Sequence, residues 1–356
     1  MTFIRKNTFA NQVCIKMNEQ EQKLLNDLLK KTARTLELSA KVLPSGFRET
    51  FSIAYLVCRC ADTVADTDLI DFERRLFWIE RFPDIINKNK SGEIEKIIKE
   101  VSSDSLKQNE RFLLQKIPFV AKIYGMLNKE DKELVFDILK KVCEGMSFDL
   151  KTFKKGGLTC LKTKEELEYY CDTMGGAPGV FWSKLILKYT PVALDKDSFI
   201  NMGRNVGRAL QIVNVLRDIK EDLNNGRCYF PEDELRTAGV KREDLKNKIL
   251  SEELLDVLKK WIVWGRDNIG SGSAFYKAIP VKQWQIRISV AWPMLWSLDS
   301  FILLLKARNT FGNEKARISK FKIYITILLS LGYIISNNFF DFMFFRRVKK
   351  IDSLIK

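Results

Sequence analysis

Four aspartates carry the clearest chemical signal in the chain. Asp62 and Asp66 close the run "FSIAYLVCRCADTVAD", and Asp218 and Asp222 lie in "QIVNVLRDIKED". Within each pair the carboxylates are four residues apart, about one helical turn. Like charges at that spacing cost a surface helix a few tenths of a kcal/mol, and more beside apolar neighbours. A cation offsets the cost. Mg²⁺ suits the donors, because it takes oxygen ligands octahedrally, keeps some water and bridges carboxylates to phosphate oxygens.

Each pair has company at helical spacing. Tyr55, Arg59, Asp62 and Asp66 form one set; Gln211, Asn214, Asp218 and Asp222 form the other. At about 100° per residue each set falls within an arc of roughly 60–80°. Each helix then presents a polar stripe about three turns long on an apolar body, and the neighbours of Asn214 are apolar enough to predict its burial. Two such stripes lining one central cavity would hold several Mg²⁺ ions and a diphosphate. Arg59 and Arg217 can add charge-assisted bonds to the same phosphates. Arg217 lies about 100° off its stripe, so a salt-bridge role for it stays open. Metals so placed stabilise the charge of a departing diphosphate, and an aromatic, apolar cavity shelters the carbocation left behind.

The rest of the chain must position these groups. Its 356 residues are 46% apolar and 29% charged, with 18 Gly and 8 Pro. Leu/Lys/Glu/Ile-rich stretches dominate and few runs alternate with period two, which predicts an all-α fold in one domain. Histidine is absent, which excludes Ser-His-Asp and Cys-His catalysis and imidazole-ligated zinc. The seven cysteines form no CxxC pair; reduced thiols in a cytoplasmic protein are expected, with Cys58, Cys60 and Cys171 as buried packing residues. The start of the chain lacks the continuous apolar core of a signal peptide. A net charge of +15 would suit nucleic acid, an anionic membrane face or phosphorylated substrates. No basic block interleaves with aromatics, so no nucleic-acid partner is expected.

Helices are predicted over 18–44, 47–68 and 198–224, with further helices between 70 and 155 and another from about Lys164. In that last helix Gly175, Gly176 and Pro178 should kink the chain or bring backbones close together. Phe148, Phe181, Trp182 and Trp292 suit either a cavity lining or a core. The stretch 323–340, "IYITILLSLGYIISNNFF", carries no charge. Lys315, Arg317, Lys320 and Lys322 precede it; Arg346, Arg347, Lys349 and Lys350 follow. About 20 apolar residues span a bilayer, so its length is borderline. Membrane association through 321–350 and a buried last helix both remain open. The expected division is a catalytic part, 1–320, and a hydrophobic C-terminal helix, 321–356.

Five stretches, "RTLELSAKVLP", "AYLVCRCADTVAD", "EGMSFDL", "YCDTMGGAPG" and "ALQIVNVLRDIKEDLNNGRCYFP", resemble the squalene/phytoene synthase family in order. The resemblance implies the isoprenoid synthase fold, a single helical bundle around a central cavity. It puts Asp62, Asp66, Asp218 and Asp222 on metal-binding positions and Tyr55, Tyr170, Gln211 and Asn214 on catalytic ones. Arg34, Thr35, Arg59 and Arg217 fall on substrate-binding positions, with Ala33 where the family has serine. The implied reaction joins two farnesyl diphosphates head to head, through presqualene diphosphate to squalene, with Mg²⁺ and NADPH. Tyr170 or the released diphosphate would be the base. Alternatives are a phytoene or dehydrosqualene synthase without reduction, and a non-catalytic, membrane-associated assembly factor of the same fold. Relatives of that last kind lose the aspartates, and all four are present here. Asp172, Met174 and Pro178 depart from the family pattern "YCxxVAGxVG", which bears on cavity shape and product. A monomer, cytoplasmic and membrane-associated, is expected.

Overall fold

The computed structural model describes residues 16–33, 35–101, 107–154, 157–247, 251–306 and 317–356. The chain is all-α, as expected, apart from one short two-stranded pairing. It folds as two compact units. The first comprises Met1–Lys151 with Lys184–Thr190; the second comprises Thr152–Ser183 with Pro191–Lys356.

The first unit contains α1 (Glu19–Thr32), α2 (Thr35–Val42), α3 (Ser45–Asp66), α4 (Phe72–Asn87), α5 (Ser91–Val101), α6 (Gln108–Gln115), α7 (Ile117–Gly125) and α8 (Lys129–Thr152). A capping box starts α1: Asn18 Oδ1 accepts from the Glu21 amide, and Glu21 Oε2 accepts from the Asn18 amide, both at 2.9 Å. These bonds satisfy two amides that a helix start otherwise leaves unpaired. The single helix predicted over 18–44 is two, α1 and α2, with Ala33 closing the first. The centre of this unit is α3, whose Ile53, Leu56, Val57, Cys60, Ala61 and Val64 are fully buried. It ends at Asp66, where Thr67 turns to an extended conformation.

The second unit contains α9 (Lys164–Cys171), a π-helical turn (Asp172–Gly176), α10 (Ala177–Tyr189), α11 (Lys196–Asn224), α12 (Glu232–Ala238), α13 (Arg242–Asn247), α14 (Glu252–Ile269), α15 (Gly272–Ala278), α16 (Trp284–Lys306), α17 (Lys320–Leu328), α18 (Ser330–Ile335) and α19 (Asn337–Ile355). The last residues of α10 pack with the first unit. Strands β1 (Thr159–Leu161) and β2 (Arg227–Pro231) run parallel, with Cys160 opposite Cys228.

Four glycines set the geometry here. A Cβ on Gly207 would lie 2.1 Å from the Gly175 carbonyl oxygen, and one on Gly179 would lie 2.1 Å from that of Gly203. Two Gly-xxx-Gly faces therefore bring the π-turn and the start of α10 into backbone contact with α11. The close approach expected of the Gly175 region is present, and the widened turn lets its glycines face α11.

Helix α16 is long and apolar enough to cross a membrane, but most of it is buried within the structure. Its Asp299, almost fully buried, accepts from Arg347 of α19 at 3.0 and 3.1 Å and pairs with Lys322 of α17 at 2.9 Å. Residues 321–356 thus cluster with the second unit. They form three helices rather than one, broken at Leu329 and Ser336.

Candidate active site

The first polar stripe lies on α3. Tyr55 donates its hydroxyl to the Thr32 carbonyl at 2.6 Å, tying α3 to the end of α1. Arg34, next to that tie, lies outside the described residues, as does the side chain of Thr35; the Thr35 backbone starts α2. One turn beyond Tyr55, the Arg59 guanidinium donates to the Asp62 carboxylate. Both side chains are about one-third exposed (32% and 31%), so water and ligand reach them. Asp66, the last residue of α3, is exposed. The opposite face of α3 is the buried core, so the stripe is the one polar surface this helix has.

The second stripe lies on α11. Gln211, Arg217, Asp218 and Asp222 are half-buried, and Asn214 is exposed. The exposure of Asn214 corrects the expectation that its neighbours bury it. Ile212, Val213, Val215, Leu216 and Ile219 are indeed buried, but they run from the edge of the stripe at Val215 round to the far side at Val213, and Asn214 lies on the stripe's other edge, on the face of Gln211. The Asn214 amide donates to Gln211 Oε1 at 3.3 Å. Arg217 takes the salt-bridge role: its guanidinium donates to both Asp218 oxygens, at 2.7 and 3.3 Å. Each acidic pair therefore has an arginine on its first member.

The α11 stripe is longer than the four residues singled out by the sequence. Arg204 and Arg208 lie on the same side, so residues 204 to 222 share an arc of about 120°. Both guanidinium groups meet Asp172 of the π-turn, at 2.9 and 2.7 Å. The motif departure at Asp172 is thus the acceptor for two arginines of α11. The i, i+4 spacing of Arg204 and Arg208, in phase with Gln211, was the available signal.

Tyr170 sits at the end of α9, and its ring packs on Tyr229 of β2 with centroids 4.6 Å apart. Phe153 meets the Tyr229 ring in a T-shaped contact, with centroids 5.0 Å apart. Trp292 belongs to the core: it is buried and donates to Ser330 Oγ at 2.8 Å. Phe181 is buried as well, while Phe148 and Trp182 are half-buried.

Burial pushes the Cys58 thiol up to about 12 and the Cys60 and Cys171 thiols further still. Thiols held protonated are poor nucleophiles and poor metal ligands; Cys60 and Cys171 are buried, as expected of packing residues, while Cys58 is half-buried. Among the described residues no three Cys, Asp or Glu side chains converge on one point. What each stripe offers a metal is a pair of carboxylates with room for water. That donor set fits Mg²⁺, which keeps several waters and is completed by substrate phosphates.

Solved structures show where this fold belongs. The chain superposes on a complex of TcSQS with the ligand BPH1237 with a TM-score of 0.77, over 95% of this chain and 97% of that one, at 17% identity. A dehydrosqualene synthase in complex with ligand matches with a TM-score of 0.62, over 89% and 97%, at 16% identity. These likenesses establish the fold, that of the squalene synthase-type isoprenoid synthases. The family model for squalene/phytoene synthase matches residues 29–322, and the chain belongs to that family, whose members condense prenyl diphosphates head to head. Among curated relatives, squalene synthase from Schizosaccharomyces pombe is 28% identical over 58% of this chain and 43% of its own length. Phytoene synthase from an Oncidium hybrid cultivar is 27% identical over 60% and 51%. Presqualene diphosphate synthase from Zymomonas mobilis is 28% identical over 64% and 65%. The matched part of this chain thus spans about half the length of the curated relatives.

Proposed function

We propose that the chain is a Mg²⁺-dependent prenyltransferase that joins two farnesyl diphosphates through presqualene diphosphate and reduces the product to squalene with NADPH. The observation that carries this reading is the repeated arrangement on α3 and α11. Each carries two aspartates one turn apart on the polar side of a helix that buries an apolar face, with an arginine on the first aspartate. A non-catalytic member of the family would have no use for either pair.

In this reading Asp62, Asp66, Asp218 and Asp222 hold Mg²⁺, which when bound stabilises the charge of the departing diphosphate. Arg59 and Arg217, paired here with Asp62 and Asp218, would offer charge-assisted hydrogen bonds to the phosphate oxygens. Gln211 and Asn214 offer amides to the polar end of the substrate. Tyr55 holds the end of α1, and Arg34 and Thr35 bind the diphosphate. Tyr170, braced on Tyr229, or the diphosphate itself takes the proton lost as the first carbon–carbon bond closes. NADPH, when bound, would supply the hydride that quenches the final cation.

A second reading stops without reduction, at presqualene diphosphate, dehydrosqualene or phytoene. It is supported by the similarity to the Zymomonas presqualene diphosphate synthase and by the departures at Met174 and Pro178. Product analysis decides. Purified protein is incubated with farnesyl diphosphate and Mg²⁺, with and without NADPH, and the products are identified by mass spectrometry. Squalene formed only with NADPH supports the first reading. Presqualene diphosphate or dehydrosqualene regardless of NADPH supports the second. Turnover confined to geranylgeranyl diphosphate assigns phytoene synthesis, and no turnover with either substrate overturns both.

A further inference from the structure

Helices at the surface of a soluble protein turn their apolar stripe inward. Helices α17 and α18 do the reverse. Their inward residues are Thr326, Ser330 and Tyr333, all buried. Trp292 donates to Ser330 Oγ at 2.8 Å, and the Ser330 and Tyr333 hydroxyls lie 2.7 Å apart. Tyr333 also donates to the Thr326 carbonyl at 3.1 Å, and Tyr276 donates to the Tyr333 carbonyl at 2.6 Å. The outward residues are Phe321, Tyr324, Leu328, Leu331 and Ile335, each between 67% and 77% exposed. Their spacing puts them on one face of α17 and one face of α18.

The exposed face of α19 carries positive charge. On α19, Phe342, Phe345, Arg346 and Lys349 are exposed at spacings that share one face. Lys320, at the start of α17, and Lys350 are exposed as well. The two acidic residues of 317–356 are both engaged elsewhere: Asp341 with Lys277 at 2.8 Å, and Asp352 with Arg266. Apolar area of this kind marks an interaction surface, and a cationic rim selects an anionic partner.

Length settles how such a surface meets lipid. Helix α17 has nine residues, about 14 Å at 1.5 Å per residue, half of the roughly 30 Å hydrocarbon core. The breaks at Leu329 and Ser336 prevent α17 to α19 from forming one longer rod. We propose that the outward faces of α17 and α18, with Phe342 and Phe345, lie in the headgroup interface of an anionic bilayer without crossing it. The surface holds whichever hydrocarbon the enzyme makes.

Vesicle co-sedimentation of the full-length chain tests this, with phosphatidylcholine alone and with phosphatidylglycerol added. The wild type sediments with the anionic vesicles and is released by alkaline carbonate, as a surface-docked protein is. Replacing Leu328, Leu331 and Ile335 together by Ser lowers partitioning at least about tenfold. R346Q/K349Q lowers binding to anionic vesicles toward the level on neutral ones. In the wild type, hydrogen exchange in peptides covering 321–335 slows when anionic vesicles are added, a readout that needs no variant. Retention through the carbonate wash would show a spanning segment and overturn the proposal. So would unchanged partitioning of the triple variant or unchanged exchange of 321–335. A chain that ignores vesicles and sediments as a dimer, dissociated by the triple variant, would assign the surface to a second copy instead.

Discussion

Asp62 and Asp218 each share their carboxylate with an arginine, while Asp66 and Asp222 follow one turn later. If both pairs hold Mg²⁺, losing one carboxylate removes a ligand that the remaining aspartate cannot replace. Asp62→Ala and Asp218→Ala should each lower kcat for farnesyl diphosphate at least about 100-fold, or ~2.7 kcal/mol in the barrier. The variants should keep the wild-type melting temperature to within a few degrees, because both groups are half-exposed; steady-state kinetics and a thermal melt check the two halves. The thiols give a second test at this scale. Cys58, Cys60, Cys143 and Cys171 are pushed far up by burial, whereas Cys160, half-buried like Cys58, is lowered by its hydrogen bond with Cys228. At pH 8 iodoacetamide should modify Cys160 well before those four in the native protein, a difference that denaturant abolishes. Peptide mapping reads this directly, and fast labelling of Cys58 would contradict the burial around Arg59.

The elements are held in place by features that sequence patterns show only in part. Backbone contact across the two Gly-xxx-Gly faces aligns the π-turn and Tyr170 with the polar stripe of α11. Gly207→Ala puts a methyl group 2.1 Å from the Gly175 oxygen, a distance that requires the helices to part. Destabilisation of about 1–3 kcal/mol or more follows, with lost turnover, and a denaturant melt alongside kinetics measures both. Asp299 anchors the C-terminal helices in a similar way. Lys322 is 42% exposed and can return to water, but Arg347 is only 13% exposed, so Asp299→Ala removes its charged partner and leaves the guanidinium bonded to the Met343 carbonyl. Breaking a buried pair costs about 3–5 kcal/mol; the variant should unfold at markedly lower denaturant, and a lower melting point than for Lys322→Ala identifies Arg347 as the cause. Gly175 was recognisable in the sequence as a point of close approach, but its partner Gly207 was not. Nothing local in "RNVGRALQ" says what passes over it.

For the whole molecule, each unit has its own apolar core, so the fold should stand without metal, and if the aspartate pairs hold Mg²⁺ only the reaction depends on it. A chelator should abolish turnover, Mg²⁺ should restore it, and the far-UV circular dichroism spectrum should not change. A loss of helix on chelation would mean that the aspartate pairs are structural sites. The net charge of +15 also acts at this scale. It favours approach of diphosphates and of anionic lipid, and both should weaken as salt shortens the Debye length to about 8 Å at 0.15 M.

The sequence by itself determined the all-α class and the family and singled out the four aspartates, because each rests on local periodicity or on the residue types at a given spacing. Helical spacing also showed which residues share a stripe with Asp62 and Asp218. The tertiary structure decided which side of a helix meets the core. It exposed Asn214 among apolar neighbours, buried Thr326, Ser330 and Tyr333, and turned Leu328 and Ile335 outward. Hydrophobicity along the chain counts apolar residues without saying what each face touches. Partners such as Asp172 for Arg204 and Arg208, or Asp299 for Lys322 and Arg347, lie 23 or more residues apart, and only the folded chain brings such charges within hydrogen-bonding distance.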